Sequence, residues 1–323
     1  MTNQDEGFKQ LYETRLKPKL EPFELQRKKI AMELFFGITV LIALAIMLLF
    51  VALTTNMGGL VLLIFLLIML IPIFFLGLLF YYAVLVSRYK TKFKKEVVSH
   101  IVTYVDENLT YYPDRMITRA EFQKSLFEKY WWQSIDELNS EDYVEGMLGF
   151  TAVTFSEIRA KYEFFVDHEG ESLHKTIFKG LFFIVDFNKD FEGFVVVLPK
   201  RWSLSKWFTY NQGYGERVNL GIPEFEKKFI VYSDNQITAR DILSTDLMRR
   251  LLIFRRQLKK PVYLSFVNGT LYVGISIDKN LFEPRIFRTL LDYNYIREFS
   301  EYIQFAKDIV EDLDLNTRIL SKV

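Results

Sequence analysis

Cysteine is absent from this 323-residue chain, and histidine occurs only three times. Without cysteine there is no thiol nucleophile, no iron–sulfur cluster, no cysteine-based zinc site and no disulfide framework. The histidines, His100, His168 and His174, show neither HExxH nor another paired-ligand spacing, so no metal site is expected. A net charge of +1 offers no global attraction for nucleic acid, and no nucleic-acid partner is expected. Serine chemistry lacks its usual frame, because no GxSxG elbow occurs and no SxxK has partners that would activate it. Gly213-Tyr214-Gly215 lacks the third glycine and the following helix of a dinucleotide cradle, so no cofactor is expected. Carboxylates such as Glu141, Asp142, Asp186, Asp190 and Glu192 are plentiful, yet no spacing singles out an acid–base pair. No catalytic residue is identified.

The most informative absence is local. From Leu34 to Ser87 no side chain carries a charge, and Glu33 and Arg88 frame the run. A helical bilayer crossing takes about 20 apolar residues, so the run accommodates two spans, at about 34–53 and 60–86. Thr54-Thr55-Asn56-Met57-Gly58-Gly59 supplies the turn between them. A buried hairpin in a soluble protein would keep a polar stripe, and this run has none. Roughly 30 polar and charged residues precede the first span, so it is expected to remain as an anchor rather than be removed as a signal peptide.

Arg27, Lys28 and Lys29 precede the spans; Arg88, Lys90, Lys92, Lys94 and Lys95 follow them; the turn is uncharged. Cytoplasmic loops hold the basic excess, which places both termini in the cytoplasm. The five cations after the second span are candidates for contact with the membrane surface, in addition to setting topology. Tyr81, Tyr82 and Tyr89 suit an aromatic belt at the inner face.

Four segments follow. Residues 1–32 form a polar helical head interrupted by Pro18 and Pro22, 33–87 the transmembrane hairpin, 88–140 a helical stem and connector, and 141–323 a cytoplasmic domain. In the connector, Val97, Val98, Ile101, Val102 and Val105 recur at helical spacing, Tyr111-Tyr112-Pro113-Asp114 breaks the pattern, and Thr118 with Glu121 has capping-box spacing. Alternation over Thr151–Glu163 and apolar runs at Phe178–Phe187 and Phe194–Leu198 predict strands. Residues 201–221 read as a loop.

Ser233 with Gln236 predicts one helix start, and Ser244 opens another helix carrying Leu247, Leu251, Phe254 and Leu258. Asn268-Gly269 between two alternating runs predicts a type I′ hairpin over Val262–Ile277. Ile296, Phe299, Ile303, Ala306, Val310 and Leu313 line a final helix. The order of elements favours α+β, with a mainly antiparallel sheet, over a doubly wound fold. Arg249, Arg255, Arg256, Lys259 and Lys260 lie away from the apolar arc of the helix that Ser244 opens, and are candidates for binding a protein partner.

A series of phrases then becomes recognisable. It includes Phe122-Gln-Lys-Ser-Leu-Phe127, Glu141-Asp-Tyr-Val-Glu-Gly146, Phe155-Ser-Glu157, Thr176-Ile-Phe-Lys-Gly-Leu-Phe-Phe183, Val231-Tyr-Ser-Asp-Asn-Gln236 and Asp312-Leu-Asp-Leu-Asn-Thr-Arg318. In this order they resemble the bacterial two-span membrane proteins catalogued as domain of unknown function 3137. The resemblance implies a bacterial membrane protein with a cytosolic α+β domain, and carries over no activity; the expected location is the bacterial inner membrane. The expected partners are the lipid bilayer and a protein. The competing expectation is an enzyme or small-ligand receptor centred on the loop with Arg201, Trp202, Trp207, Tyr210 and Tyr214. A transporter subunit fits less well, because the spans lack polar groups at depth.

Overall fold

A computed structural model describes residues 3–54, 57–130, 135–166, 171–187, 189–200, 215–313 and 315. The chain divides into two compact units: Met1–Val98 with Glu283–Glu298, and Ser99–Phe282 with Phe299–Val323.

The first unit is helical. α1 (Asn3–Leu11) passes through a π-helical turn, Tyr12–Leu16, into α2 (Lys17–Thr54); α3 (Met57–Phe93) is followed by a second π-helical turn, Lys94–Val98. The chain therefore keeps helical form across Pro18 and accommodates Pro22 and Pro72 within α2 and α3, so the prolines do not divide the head as the sequence suggested. Thr54, Met57, Gly58 and Gly59 belong to the helices, while Thr55 and Asn56 of the expected turn lie outside the described residues. Among the described residues, two helical stretches are long and apolar enough to cross a membrane.

Outside the uncharged run the unit has a core of its own. Phe8, Tyr12, Leu16, Leu20, Phe23 and Ile30 are buried, as are Tyr89, Phe93, Val97 and Val98. Phe23 meets the rings of Tyr89 and Phe93 edge-on, with centroids at 6.0 and 5.7 Å. The segment 283–298 joins this core: Tyr293 packs its ring on Tyr12 at 5.3 Å, and Lys90 pairs with Glu283 at 2.8 Å.

The second unit is α+β. Its nine-stranded sheet runs in the order β1-β2-β3-β4-β9-β8-β5-β7-β6. The strands are β1 (Leu109–Tyr112), β2 (Glu137–Leu148), β3 (Thr151–Val166), β4 (Ser172–Asp186), β5 (Phe194–Pro199), β6 (Glu216–Val218), β7 (Phe229–Ser233), β8 (Val262–Val267) and β9 (Thr270–Ser276). Every pairing is antiparallel.

The β8–β9 hairpin turns at Asn268 and Gly269, whose φ angles of 46° and 78° give the two left-handed positions a type I′ turn requires. It sits between β4 and β5, where both faces of the sheet are covered. Covered strands read as unbroken apolar runs, which explains Val195-Val196-Val197-Leu198.

One sheet face buries Ile158, Phe178, Phe182, Val196 and Tyr263 together with Phe122 of α5 (Arg119–Gln123) and Phe127 of α6 (Phe127–Tyr130). Thr118 starts α5 with a complete capping box, each partner bonding the other's backbone, as its spacing predicts. The remaining helices are α4 (Ser99–Val105), α7 (Pro223–Glu226), α8 (Gln236–Ile242), α9 (Thr245–Leu258) and α10 (Tyr293–Asp312). Ser244 caps α9, whose buried stripe is Leu247, Met248, Leu251 and Phe254. The predicted start at Ser233 shifts: Asn235 is the N-cap of α8, and Ser233 ends β7 with its hydroxyl donating to the Phe194 carbonyl at 2.7 Å.

Register places particular residues at each end of the sheet. At one end Lys200 N–H donates to Lys228 O (2.8 Å), Ser276 N–H to Pro261 O (3.0 Å) and Ile277 N–H to Lys179 O (2.8 Å). At the other, Phe187 N–H donates to Gly269 O (2.9 Å) and Phe194 N–H to Asp234 Oδ1 (3.1 Å). β4 pairs β9 only from Gly180 to Asp186, and β2 pairs β3 only as far as Lys161, so residues 162–166 of β3 and 172–175 of β4 continue as a two-stranded ribbon beyond the first end.

Candidate functional site

Strand alternation puts Val153, Phe155 and Glu157 on one face of β3, which inserts a carboxylate into an apolar row. Glu157 is only 4% exposed. Across β2 its partner is Glu141, and the register slips between Glu141 and Val144. That slip is a β-bulge, and Asp142 within it has φ 60° and is fully buried. One carboxylate oxygen from each of Glu141, Asp142 and Glu157 lies within 4.8 Å of the others.

Protein donors already engage this trio. The Tyr111 hydroxyl of β1 donates to Asp142 Oδ1, and the Leu281 N–H donates to Glu157 Oε2 at 2.7 Å. Burial, and then the Asp142 charge, push the Tyr111 hydroxyl far above its ordinary value, so it remains a donor. Oxygen donors suit a hard cation by type. Three carboxylates carry six oxygens, and at least two of these already accept from protein donors, which leaves fewer than the six to eight of a calcium shell. The arrangement reads as a buried tie between β1, β2, β3 and the segment after β9.

Of the juxtamembrane cations, Arg88, Lys92 and Lys95 are exposed, Lys90 is half-buried against Glu283, and Lys94 is 8% exposed. The candidate partner-binding residues lie on or just after α9. Arg249, Arg256, Lys259 and Lys260 are exposed. Arg256 stands 3.5 Å from Glu224 of α7, a separation at which two exposed side chains contribute little. Arg255 differs: its guanidinium lies over the Phe229 ring, 5.7 Å from the centroid, and its Nε is buried with no hydrogen-bond partner among the described residues. It ties α9 to β7, and Arg250 ties α9 to the end of α10 by donating to Asp312 O at 3.4 Å. Lys259 ends the helix in the left-handed conformation at φ 53°.

The aromatic loop candidates Arg201, Trp202, Trp207, Tyr210 and Tyr214 lie outside the described residues. Sequence reasoning did not single out Glu157, although the signal was present as an acid at an inward position of an alternating strand.

No curated protein matches this chain. Among solved structures, the crystal structure of the mycobacterial trehalose monomycolate transport factor A, TtfA, aligns with 9% identity and a TM-score of 0.31. That alignment covers 66% of this chain and 95% of that one. Agreement that loose transfers neither fold nor activity. The family model described as "Protein of unknown function (DUF3137)" matches residues 176–315, from within β4 to just past α10. Over that segment the chain is similar to the DUF3137 family of proteins of unknown function.

Proposed function

We propose that this chain is a membrane-anchored binding module. In this reading α2 and α3 cross a bacterial inner membrane as a hairpin, with both termini and the α+β unit in the cytoplasm. The supporting observation is outward-facing apolar surface. Phe35, Phe36, Ile46 and Phe50 on α2, and Ile73, Leu76 and Phe80 on α3, each expose more than half of their surface. In water such surface costs about 25 cal/mol per Å², whereas lipid acyl chains remove the penalty. The uncharged interior of the run suits an anchor rather than a conduit.

Arg88, Lys92 and Lys95 then meet the headgroups of the inner leaflet. The exposed cations of α9, Arg249 and Arg256, are available to a protein partner. Alkaline extraction of membranes from expressing cells tests the anchor. Retention of the full chain in the washed membranes is expected, and its release with peripheral proteins would overturn the reading.

A further inference from the structure

We infer that the lysine-rich end of the nine-stranded sheet docks on an anionic lipid surface. The inference rests on the reading of α2 and α3 as spans, and adds to it a second, peripheral membrane contact made by the α+β unit.

Residues far apart in sequence meet at this end. The backbone bonds of Lys200 to Lys228 and of Ser276 to Pro261 bring the end of β5, the start of β7, the start of β8 and the end of β9 to one level. Lys200, Lys227, Lys228, Lys259, Lys260 and Lys279 are all exposed there. Of two nearby carboxylates, Glu226 is engaged by the Leu220 and Gly221 N–H groups, and Glu224 stands exposed 3.5 Å from Arg256. The opposite end carries Asp186, Asp190, Glu192 and Asp234, with Lys189 the only lysine near them among the described residues. The unit is thus polarised along its strands, and an anionic surface orients such a charge distribution with the lysines towards it.

A second feature at the lysine-rich end favours lipid over an acidic protein. The ribbon of β3 and β4 projects beyond β9 at this end and exposes Phe164, Phe165, Val166 and Leu173. A two-stranded ribbon with exposed aromatic and aliphatic side chains is marginal in water. Apolar side chains beside a basic rim match the boundary between headgroups and acyl chains. Glu163 and Glu171 on the ribbon, and Asp278, oppose docking, but the lysines remain in excess.

The absence of cysteine allows single labels on the full chain. A fluorophore at Gln257→Cys, beside Lys259 and Lys260, and another at Glu192→Cys, at the acidic end, report energy transfer to acceptor lipids in nanodiscs. Discs containing phosphatidylglycerol should raise transfer at position 257 relative to 192. High salt should reverse the gain, and so should Lys200→Glu, Lys227→Glu and Lys228→Glu combined. Each lysine removed should lower the docked-to-free ratio about fivefold, from about 1 kcal/mol per cation near such a surface. Transfer indifferent to phosphatidylglycerol and to salt would overturn the inference and leave this end to an acidic protein. Co-elution of the chain with the disc reports on the spans separately, because a variant that has lost docking still co-elutes.

Discussion

The carboxylate of Glu24 accepts a hydrogen bond from the backbone N–H of Leu290 at 2.9 Å, joining α2 to a segment 266 positions later in sequence. Arg27 grips the same carboxylate through two bonds, at 2.7 and 2.9 Å, and donates to Ile286 O at 2.9 Å. Burial alone would raise the Glu24 carboxyl. The Arg27 guanidinium, the Leu290 N–H and Lys28 outweigh it and hold the group below its ordinary value of 4.5.

Because the folded value is depressed, this clamp contributes fully above the ordinary value and fades as pH falls through the folded one. Glu24→Gln removes the charge and leaves Arg27 unpaired, which is expected to cost about 3–5 kcal/mol in the opening free energy of the 283–298 segment. Hydrogen exchange at the Leu290 amide measures it. Unchanged protection would show that the clamp is dispensable.

Asp308 on α10 gives the opposite pH signature. Burial, with help from Asp312 and Glu311, pushes its carboxyl up from 3.8 to about 6, against the Gln304 bond and the Lys307 charge. The folded state then holds a proton that the unfolded chain releases, so this group lowers stability as pH rises from about 4 to about 6. Asp308→Asn should melt at a higher temperature than the parent at pH 7 and at the same temperature near pH 4. Equal melting at both values would contradict the assignment.

The carboxylate trio predicts a local effect. Glu157→Ala leaves the Leu281 N–H buried without its acceptor and is expected to cost about 1–3 kcal/mol. Exchange should quicken first at Leu281. Tyr111→Phe, which removes the donor to Asp142, should destabilise the β1–β2 edge by a similar amount. Denaturant titration of the two variants checks both expectations, and full stability in either would deny the trio a structural role.

At the β8–β9 turn, Gly269→Ala places a Cβ on a residue with φ 78° and 3.3 Å from the Lys189 carbonyl. The left-handed penalty alone is about 1–2 kcal/mol. Asn268→Gly keeps the φ but removes the side-chain oxygen that accepts from the Gly193 N–H at 3.0 Å, and is expected to cost about 0.5–1.5 kcal/mol. Melting temperatures of the two variants check both expectations, and full stability in either would contradict the role given to that residue.

What could be read from sequence was whatever is local. Thr118–Glu121, Ser244 and Asn268-Gly269 encode their structures within a few residues, and each forms as its chemistry dictates. β1 escaped notice because Tyr111 and Tyr112 precede a proline and resemble a break, whereas pairing with β2 stabilises them as an edge strand. Ser233 and Asn235 are both good caps, and only the end of β7 decides between them. The Glu24–Leu290 clamp and the Glu141–Asp142–Glu157 trio unite distant segments, so no spacing rule reveals them. Glu157 alone left a trace, as an acid in an apolar row.

The most direct test of the anchor uses single cysteines and a membrane-impermeant maleimide in intact cells. Thr54→Cys, at the end of α2, should label from outside, and Glu192→Cys, in the α+β unit, only after permeabilisation. Labelling of Glu192→Cys in intact cells, with Thr54→Cys protected, would invert the topology. Labelling of neither position until permeabilisation would contradict a hairpin that spans the membrane.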